Sequence, residues 1–236
     1  MREFFIFLDN WCKICAINMD IIKVKALLEV YKKDYIMTQY EKIIHNNLKE
    51  IFQHPPESHK IKIKGDFTDN QYMFKAFGQN CRLSTDGIFL DDELQTGPTG
   101  IVISLYAMHA VSDDCVIEPL NAFKSFPDTA PYVGAFANYT EQALVPHVDK
   151  IFENRQSIYE HMDGADAPKS LGGDFAFYVW PLPKIMLCYI FYLSDDDFPA
   201  SATCLFSNNA SKFLPNDALA DTGEYTSKYI ISLLEI

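Results

Sequence analysis

The sequence lacks the short motifs that mark the commonest classes of enzyme. It contains no GxxxxGK[ST] or GxGxxG loop for phosphates, no GxSxG turn for a hydrolase nucleophile and no HExxH for zinc. It also has no internal repeat, no low-complexity tract and no obvious linker. The standard nucleotide-binding, serine-hydrolase and zinc-protease motifs are therefore excluded, and the interpretation depends on composition and on short clusters.

Positive charge is scarce as well. Lys and Arg number 20 against 32 Asp and Glu, which gives a formal net charge of −12. Nucleic acids and anionic membranes are both bound through cationic side chains, so we expect neither as a partner. Residues 23–64 are a local exception that is rich in lysine, and we interpret it as a solvated, partly helical surface.

No apolar run is long and uninterrupted enough to span a bilayer, and no signal peptide is recognisable at the N-terminus. The six cysteines are scattered, and without a secretory signal we expect a cytoplasmic protein with reduced thiols. Cys12 and Cys15 form one CxxC pair, but no second pair follows that would complete a structural zinc site. Their role stays open.

The strongest signal in the sequence is a set of three apolar segments near the C-terminus. Residues 175–180, 185–193 and 202–206 are rich in aromatic and branched side chains, and turn-forming residues separate them. Runs of this length and composition predict three consecutive β-strands of a buried antiparallel sheet.

Further elements follow from periodicity and turn residues. Helices are predicted at 20–35, at 38–53 with a Thr38-x-x-Glu41 capping box, at 101–111, at 132–162 with a break near Pro146, and at 222–234 with Thr222 as its cap. A short helix is predicted to begin at Asn216. Strands are predicted at 60–65, 71–77, 81–84 and 87–90. We therefore expect an α+β fold in which helices pack on one side of antiparallel sheets. Residues 38–236 are expected to form a single domain after an N-terminal extension and helix at residues 1–37.

Aromatic residues make up 14% of the chain, which is consistent with an aromatic-lined pocket as well as with an aromatic core. Alternate residues of a strand share one face. The candidates for a ligand-binding or cofactor-binding surface on the predicted strands are Tyr178, Trp180, Tyr189 and Tyr192. Simple core packing is the alternative interpretation for each of them.

A second candidate site lies at the end of the predicted 132–162 helix. His161, Asp163 and Asp166 combine one imidazole with two carboxylates, a set that can hold a divalent metal. The spacing matches no specific metal-binding loop. The alternative is an ordinary helix end, where an imidazole is favoured by the helix dipole.

The order and character of several segments resemble an uncharacterised family, the domain of unknown function 3786. The resemblance covers roughly residues 38–236 and rests on residues 97–111, 119–127, 172–174, 181–183, 195–200, 205–207 and 213–215. It implies a protein of anaerobic metabolism, because the family is typical of anaerobic bacteria and archaea. It also implies a link to corrinoid or one-carbon chemistry, since some members carry cysteine-rich iron–sulfur segments like those of corrinoid methyl-transfer proteins. This chain lacks the clustered four-cysteine segment, and the resemblance transfers no catalytic residues.

These observations favour a non-catalytic ligand-binding or accessory protein, with the cofactor unknown. One alternative is a metal-dependent enzyme that uses His161, Asp163 and Asp166. Another is a subunit that binds a protein partner. The sequence leaves open whether the protein is an enzyme, which ligand it takes and which oligomer it forms.

Overall fold

The computed structural model describes residues 37–234. The chain divides into two compact units, Met1–Lys42 and Ile43–Ile236, and only residues 37–42 of the first unit are described. The helix predicted at 20–35 and the Cys12–Cys15 pair therefore lie outside the described residues. The domain boundary expected near residue 38 stays a prediction.

The described residues contain helices and antiparallel strands, as the sequence predicted. The helices are α1 (Gln39–Ile51), α2 (Pro56–Ile63), α3 (Pro98–His109), α4 (Val133–Phe136), α5 (Val148–Met162) and α6 (Asn216–Leu233). The strands are β1 (Asp66–Thr68), β2 (Gln71–Ala76), β3 (Gln79–Ser84), β4 (Gly87–Leu90), β5 (Glu93–Leu94), β6 (Asn121–Ala122), β7 (Ala165–Asp166), β8 (Phe175–Leu182), β9 (Ile185–Tyr192) and β10 (Ser201–Phe206). The mixed α+β class is confirmed.

The start of α1 confirms the predicted capping box. The Thr38 backbone N–H donates to Glu41 Oε2 at 2.7 Å, and the Glu41 N–H donates to Thr38 Oγ1 at 3.2 Å. These bonds satisfy two of the amide donors that every helix leaves free at its N-terminus.

The strand predicted at residues 60–65 is wrong, because this segment belongs to α2. Pro56 occupies the first turn of the helix, where its missing N–H costs no hydrogen bond. In a strand, Ile61 and Ile63 would point to the same face and be buried together. In the helix, Ile63 is fully buried whereas Ile61 is exposed. Lys64 then ends the helix in the left-handed conformation, with φ of 54°.

The first sheet is an antiparallel meander in the order β1-β2-β3-β4-β5. Its β2, β3 and β4 confirm the strands predicted at 71–77, 81–84 and 87–90. Buried side chains on this sheet, such as Tyr72, Leu83 and Ile88, join the main hydrophobic core. The meander is therefore part of the same folded unit as the rest of residues 43–236.

The second sheet has the order β6-β10-β9-β8-β7, and every neighbouring pair is antiparallel. Its three central strands are the three apolar segments predicted from the sequence. Cys204 lies opposite Tyr189 across the β10–β9 pair, and Tyr178 lies opposite Cys188 across the β8–β9 pair. The prediction that these segments pair edge to edge is confirmed.

Helices pack on one face of the second sheet, and irregular chain covers the other. On the helical face, Tyr189 contacts Ser227 of α6, and the Phe177 ring lies 5.7 Å from the Tyr159 ring of α5. On the opposite face, Met186, Cys188 and Ile190 form a separate buried cluster. Residues 111–120, which we call the strap, contribute Cys115, Ile117 and Leu120 to this cluster. The strap thus replaces a second helical layer.

Two asparagines at the end of β10 fix the strap. The Asn208 N–H donates to the Val116 carbonyl at 2.7 Å. The Asn209 side chain accepts from the Val116 N–H at 2.8 Å and donates to the Asp114 carbonyl at 2.9 Å. These hydrogen bonds hold the strap through its backbone groups, so the strap is fixed in position relative to β10.

The helical region at 132–162 breaks near Pro146 as predicted. A π-helical turn (Ala137–Glu141) and a 3-10 segment (Gln142–His147) separate α4 from α5. The prediction for the C-terminus is wrong in one respect, because α6 is continuous where two helices were expected. Thr222 is a buried residue inside α6. Its hydroxyl donates to the Ala218 carbonyl at 2.7 Å, so it does not cap a helix.

The two sheets meet where β2 ends against β8. The Phe77 N–H donates to the Pro181 carbonyl at 2.7 Å, which joins the backbones of the two sheets. Among residues 37–234, no helix is both long enough and apolar enough to cross a membrane.

Candidate functional site

A groove of about 810 Å³ lies beside the junction of the two sheets. It is lined by residues from α2, β2, the strap and the turn between β8 and β9. Its charged lining consists of the lysines Lys60, Lys64, Lys75 and Lys184 and the aspartates Asp66, Asp114 and Asp163. This volume is within the usual range for a small-molecule site.

Trp180 is the aromatic side chain of the groove that the sequence predicted as a candidate. The pairing of β8 with β9 shifts register between Val179 and Leu182, and Trp180 sits within this irregularity. Such bulges commonly re-aim a side chain next to a functional site. Lys64 Nζ lies 5.7 Å from the centroid of the Trp180 ring, which is within the range of a cation–π contact. The half-buried indole therefore offers a stacking surface beside a positive charge.

Lys184 lies in the turn between β8 and β9 and is only 2% exposed. Its Nζ donates one hydrogen bond, to the Val111 carbonyl of the strap at 2.7 Å. Nζ also lies 5.7 Å from the centroid of the Phe213 ring. Burial lowers the pKa of Lys184 below its ordinary value, and Lys64 adds to the effect, whereas the carboxylates of Asp114 and Asp113 oppose it.

Two of the four lysines already have a carboxylate partner. Lys75 Nζ lies 3.0 Å from Asp163 Oδ1, and Lys60 Nζ lies 2.7 Å from Glu57 Oε2. Lys64 and Lys184 form no ion pair with any residue in the described part of the chain. The groove thus presents two ammonium groups that have no carboxylate partner in the described residues, in a protein whose net charge is −12.

The structure brings Trp180 together with one of the other three predicted aromatic residues, because Trp180 and Tyr178 both pack against the Met186–Cys188–Ile190 cluster. Tyr189 is fully buried on the helical face, where its hydroxyl hydrogen-bonds Ser227 Oγ at 3.1 Å. Tyr178 contacts the Met186–Cys188–Ile190 cluster, and burial raises the pKa of its hydroxyl, which has no hydrogen-bond partner in the described residues. Tyr192 is 48% exposed and lines a separate groove with Asp174 and Phe198. Of the four, Trp180 alone lines the lysine-rich groove.

The predicted metal residues are each engaged in a different contact. His161 Nδ1 lies 2.8 Å from the Ser157 carbonyl oxygen, Asp163 pairs with Lys75, and Asp166 Oδ1 accepts from the Tyr159 hydroxyl at 2.7 Å. Asp163 also ends α5 in the left-handed conformation. Within residues 37–234, no three His, Cys, Asp or Glu side chains are grouped so that they could hold a metal ion.

The lysines of the groove were missed by reasoning from sequence. Lys60 and Lys64 were interpreted as part of a solvated basic segment, and Lys184 as part of a turn after Pro181-Leu-Pro183. Nothing in the sequence marks Lys184 as buried, because turns between strands normally lie on the surface. The other lysines come from separate elements, and only the fold brings them together.

The chain matches the family described as a domain of unknown function (DUF3786) over residues 55–229. No curated protein and no solved structure matches it. The match covers most of the chain and includes every residue of the groove. The protein therefore belongs to the DUF3786 family, as the resemblance in its sequence suggested.

Proposed function

We propose that this DUF3786 protein is a non-catalytic binding protein that holds a small planar molecule in the groove beside Trp180. The observation that carries the proposal is the pairing of a half-buried indole with Lys64 at 5.7 Å in a groove of about 810 Å³. An aromatic face beside a few fixed polar groups is the usual composition of a small-molecule site.

The position of Trp180 supports a role in binding as well as in packing. The indole packs against the Met186–Cys188–Ile190 cluster and also lines the groove. Here the register shift between Val179 and Leu182 places the indole at the groove. Stacking of a planar ring on an aromatic side chain contributes about 1–3 kcal/mol in nucleic-acid systems. We expect a similar contribution for a planar ligand in this groove.

Ligands of one-carbon metabolism are the first to test. The family resemblance implies a link to corrinoid or one-carbon chemistry in anaerobes, and the proposed ligand class follows from that link and from the groove. Folates suit the groove well, since they combine a flat pterin ring for Trp180 with carboxylates for the lysines. A corrinoid is bulkier and carries mainly neutral amides, so it would make fewer favourable contacts with Trp180 and with the lysines.

Isothermal titration calorimetry with folate, flavin mononucleotide and hydroxocobalamin tests the proposal. We expect at least one planar ligand to bind, and Trp180→Leu to weaken its binding about tenfold or more. Tyr139→Leu is the matched control, because Tyr139 is 56% exposed and does not line the groove. The proposal fails if no ligand of the panel binds, or if Trp180→Leu and Tyr139→Leu have the same effect.

The alternative from the sequence, a metal-dependent enzyme built on His161, Asp163 and Asp166, has its own test. Elemental analysis of the purified protein would show a stoichiometric divalent metal if this alternative holds. His161→Ala and Asp166→Ala would then abolish the metal content without affecting folate or flavin binding. A metal-free protein that binds a planar ligand would favour the proposal made here.

A further inference from the structure

We infer that the groove selects a ligand that carries a localised anionic group, a carboxylate or a phosphate, and that Lys184 binds this group. The inference rests on the proposed function and deepens it, because it assigns the charge class of the ligand and the residue that recognises it. It is carried by the placement of Lys184 in the groove wall.

The hydrogen bonding of Lys184 is incomplete. An ammonium group has three N–H donors, and in the described residues Lys184 Nζ uses one of them, with the Val111 carbonyl as acceptor. The residue as a whole is 2% exposed, and it lines the groove, from which a ligand can approach it. A buried charge without a full set of partners is costly. A ligand oxygen at the groove wall would supply the acceptor that the protein does not.

A purely structural role explains this lysine poorly. Burying a charge that has no ion-pair partner is costly, so a methionine would fill the same space without that cost, although the Val111 carbonyl would lose its donor. Lys184 separates two apolar strands whose other buried residues, such as Leu182 and Ile185, are hydrophobic. Its retention here is accounted for by recognition of an anion.

The distribution of charge in the groove narrows the ligand class. Lys64 is exposed at the end of α2 and lies against Trp180, so it would contact an anionic group near the edge of a stacked ring. Asp66 and Asp114 also line the groove and would repel a molecule that is negative over its whole surface. The favoured ligand therefore has a neutral aromatic body and a localised anionic tail.

Matched pairs of ligands test the inference directly. Flavin mononucleotide and riboflavin share one ring system and differ in a phosphate, and folate and its dimethyl ester differ in two carboxylates. We expect the charged member of at least one pair to bind about tenfold or more tightly than its neutral partner, since a charge-assisted hydrogen bond is involved. The pair that shows the preference distinguishes a phosphate ligand from a carboxylate ligand.

Variants locate the source of the preference. Lys184→Met should reduce the ratio of charged to neutral affinity towards one, while the neutral ligand keeps its affinity. Lys64→Asn should reduce the ratio of charged to neutral affinity partially. Lys64 is exposed and has φ of 54°, which asparagine tolerates. This variant tests the inference even if Lys184→Met does not fold. Lys150→Met is the matched control, because Lys150 is exposed on α5 away from the groove.

The outcomes separate this inference from the proposed function. If charged and neutral ligands bind equally and Trp180→Leu weakens both, the groove binds planar molecules but the inference is overturned. If the preference for the charged ligand survives in Lys184→Met and Lys64→Asn, its source lies elsewhere and the inference is again overturned. If no member of either pair binds, the inference fails, whereas the proposed function fails only if hydroxocobalamin does not bind either.

Discussion

Replacement of His59 by phenylalanine should make this protein more stable. His59 is 2% exposed in α2, and neither of its ring nitrogens has a hydrogen-bond partner in the described residues. Its ring stacks on His54 at 6.1 Å and lies 5.3 Å from the Tyr72 ring. The site is thus an aromatic pocket in which the imidazole makes no hydrogen bond of good geometry, although the Ala107 carbonyl lies close enough to favour its charged form. A phenyl ring would lose only that weak contact.

The magnitude follows from the cost of an unpaired polar group. Leaving a buried donor or acceptor unsatisfied costs about 1–3 kcal/mol, and part of that gain would be lost because the phenyl ring is slightly larger. We therefore expect His59→Phe to raise the free energy of unfolding by about 1 kcal/mol at pH 7.5. For a chain of this size, that corresponds to an increase in Tm of roughly 2–4 °C.

The effect should grow as the pH falls. Burial lowers the pKa of His59 below 6.5, with further lowering by Lys62 and His54 and an opposing contribution from the Ala107 carbonyl. In the unfolded chain the same imidazole takes up a proton near pH 6.5. The unfolded state then binds more protons than the native state, so the wild type loses stability as the pH falls through 6.5 towards the native pKa. His59→Phe removes this loss.

Thermal unfolding of the wild type and the variant at pH 7.5 and pH 5.5 measures both effects. The difference in Tm between the two proteins should be larger at pH 5.5. His45→Gln is the control, since His45 is exposed on α1 and its replacement should change stability by less than about 0.5 kcal/mol. The reasoning is refuted if His59→Phe is less stable than the wild type at both pH values, or if the difference shrinks on acidification.

Three further substitutions test the hydrogen bonds of the fold. The Tyr106 hydroxyl donates to the Ile63 carbonyl at 2.9 Å, so Tyr106→Phe should cost about 1–3 kcal/mol in urea unfolding. The Tyr72 hydroxyl is buried without a partner in the described residues, so Tyr72→Phe should be neutral or stabilising, and a loss larger than that of Tyr106→Phe would contradict this account. Asn209→Ala removes two bonds to the strap and should cost about 1–2 kcal/mol. Peptide-resolved alkylation should then show faster modification of the half-buried strap residue Cys115, and an unchanged rate would mean that the strap is held by other contacts.

The parts of the fold that were predicted correctly are those whose signals are local. The three apolar segments are each bounded by turn residues, and their length and composition leave little alternative to strands. The same holds for the capping box at Thr38 and for the break near Pro146. Each of these features depends on a few neighbouring residues, so the sequence alone contains the information.

The errors arise where two local signals compete. In α2, the alternation of Lys60–Lys64 favours a strand, but Pro56 at the first turn favours a helix, and burial of Ile63 decides the outcome. In α6, Thr222 is of a type that caps helices, yet it is buried in the interior of the helix, where its hydroxyl bonds the Ala218 carbonyl four residues back. Tertiary packing overrides local preference at both positions.

The candidate site was predictable only in part. Trp180 was identified because alternate residues on an aromatic strand share a face, but Tyr189 falls on the opposite face of the sheet. Lys64 and Lys184 are 120 residues apart in the sequence, and no pattern in either neighbourhood connects them. Their proximity to Trp180 depends on how α2 and the β8–β9 turn meet, which is a property of the whole fold.

The backbone hydrogen bond from Phe77 to Pro181 links the two sheets directly. The groove draws one wall from Met73, Phe74 and Lys75 of the meander and another from Trp180 and Pro183 of the second sheet. Both sheets contribute to one continuous hydrophobic core, so the core itself sets the distance between these walls. A ligand of the groove would therefore contact both sheets at once.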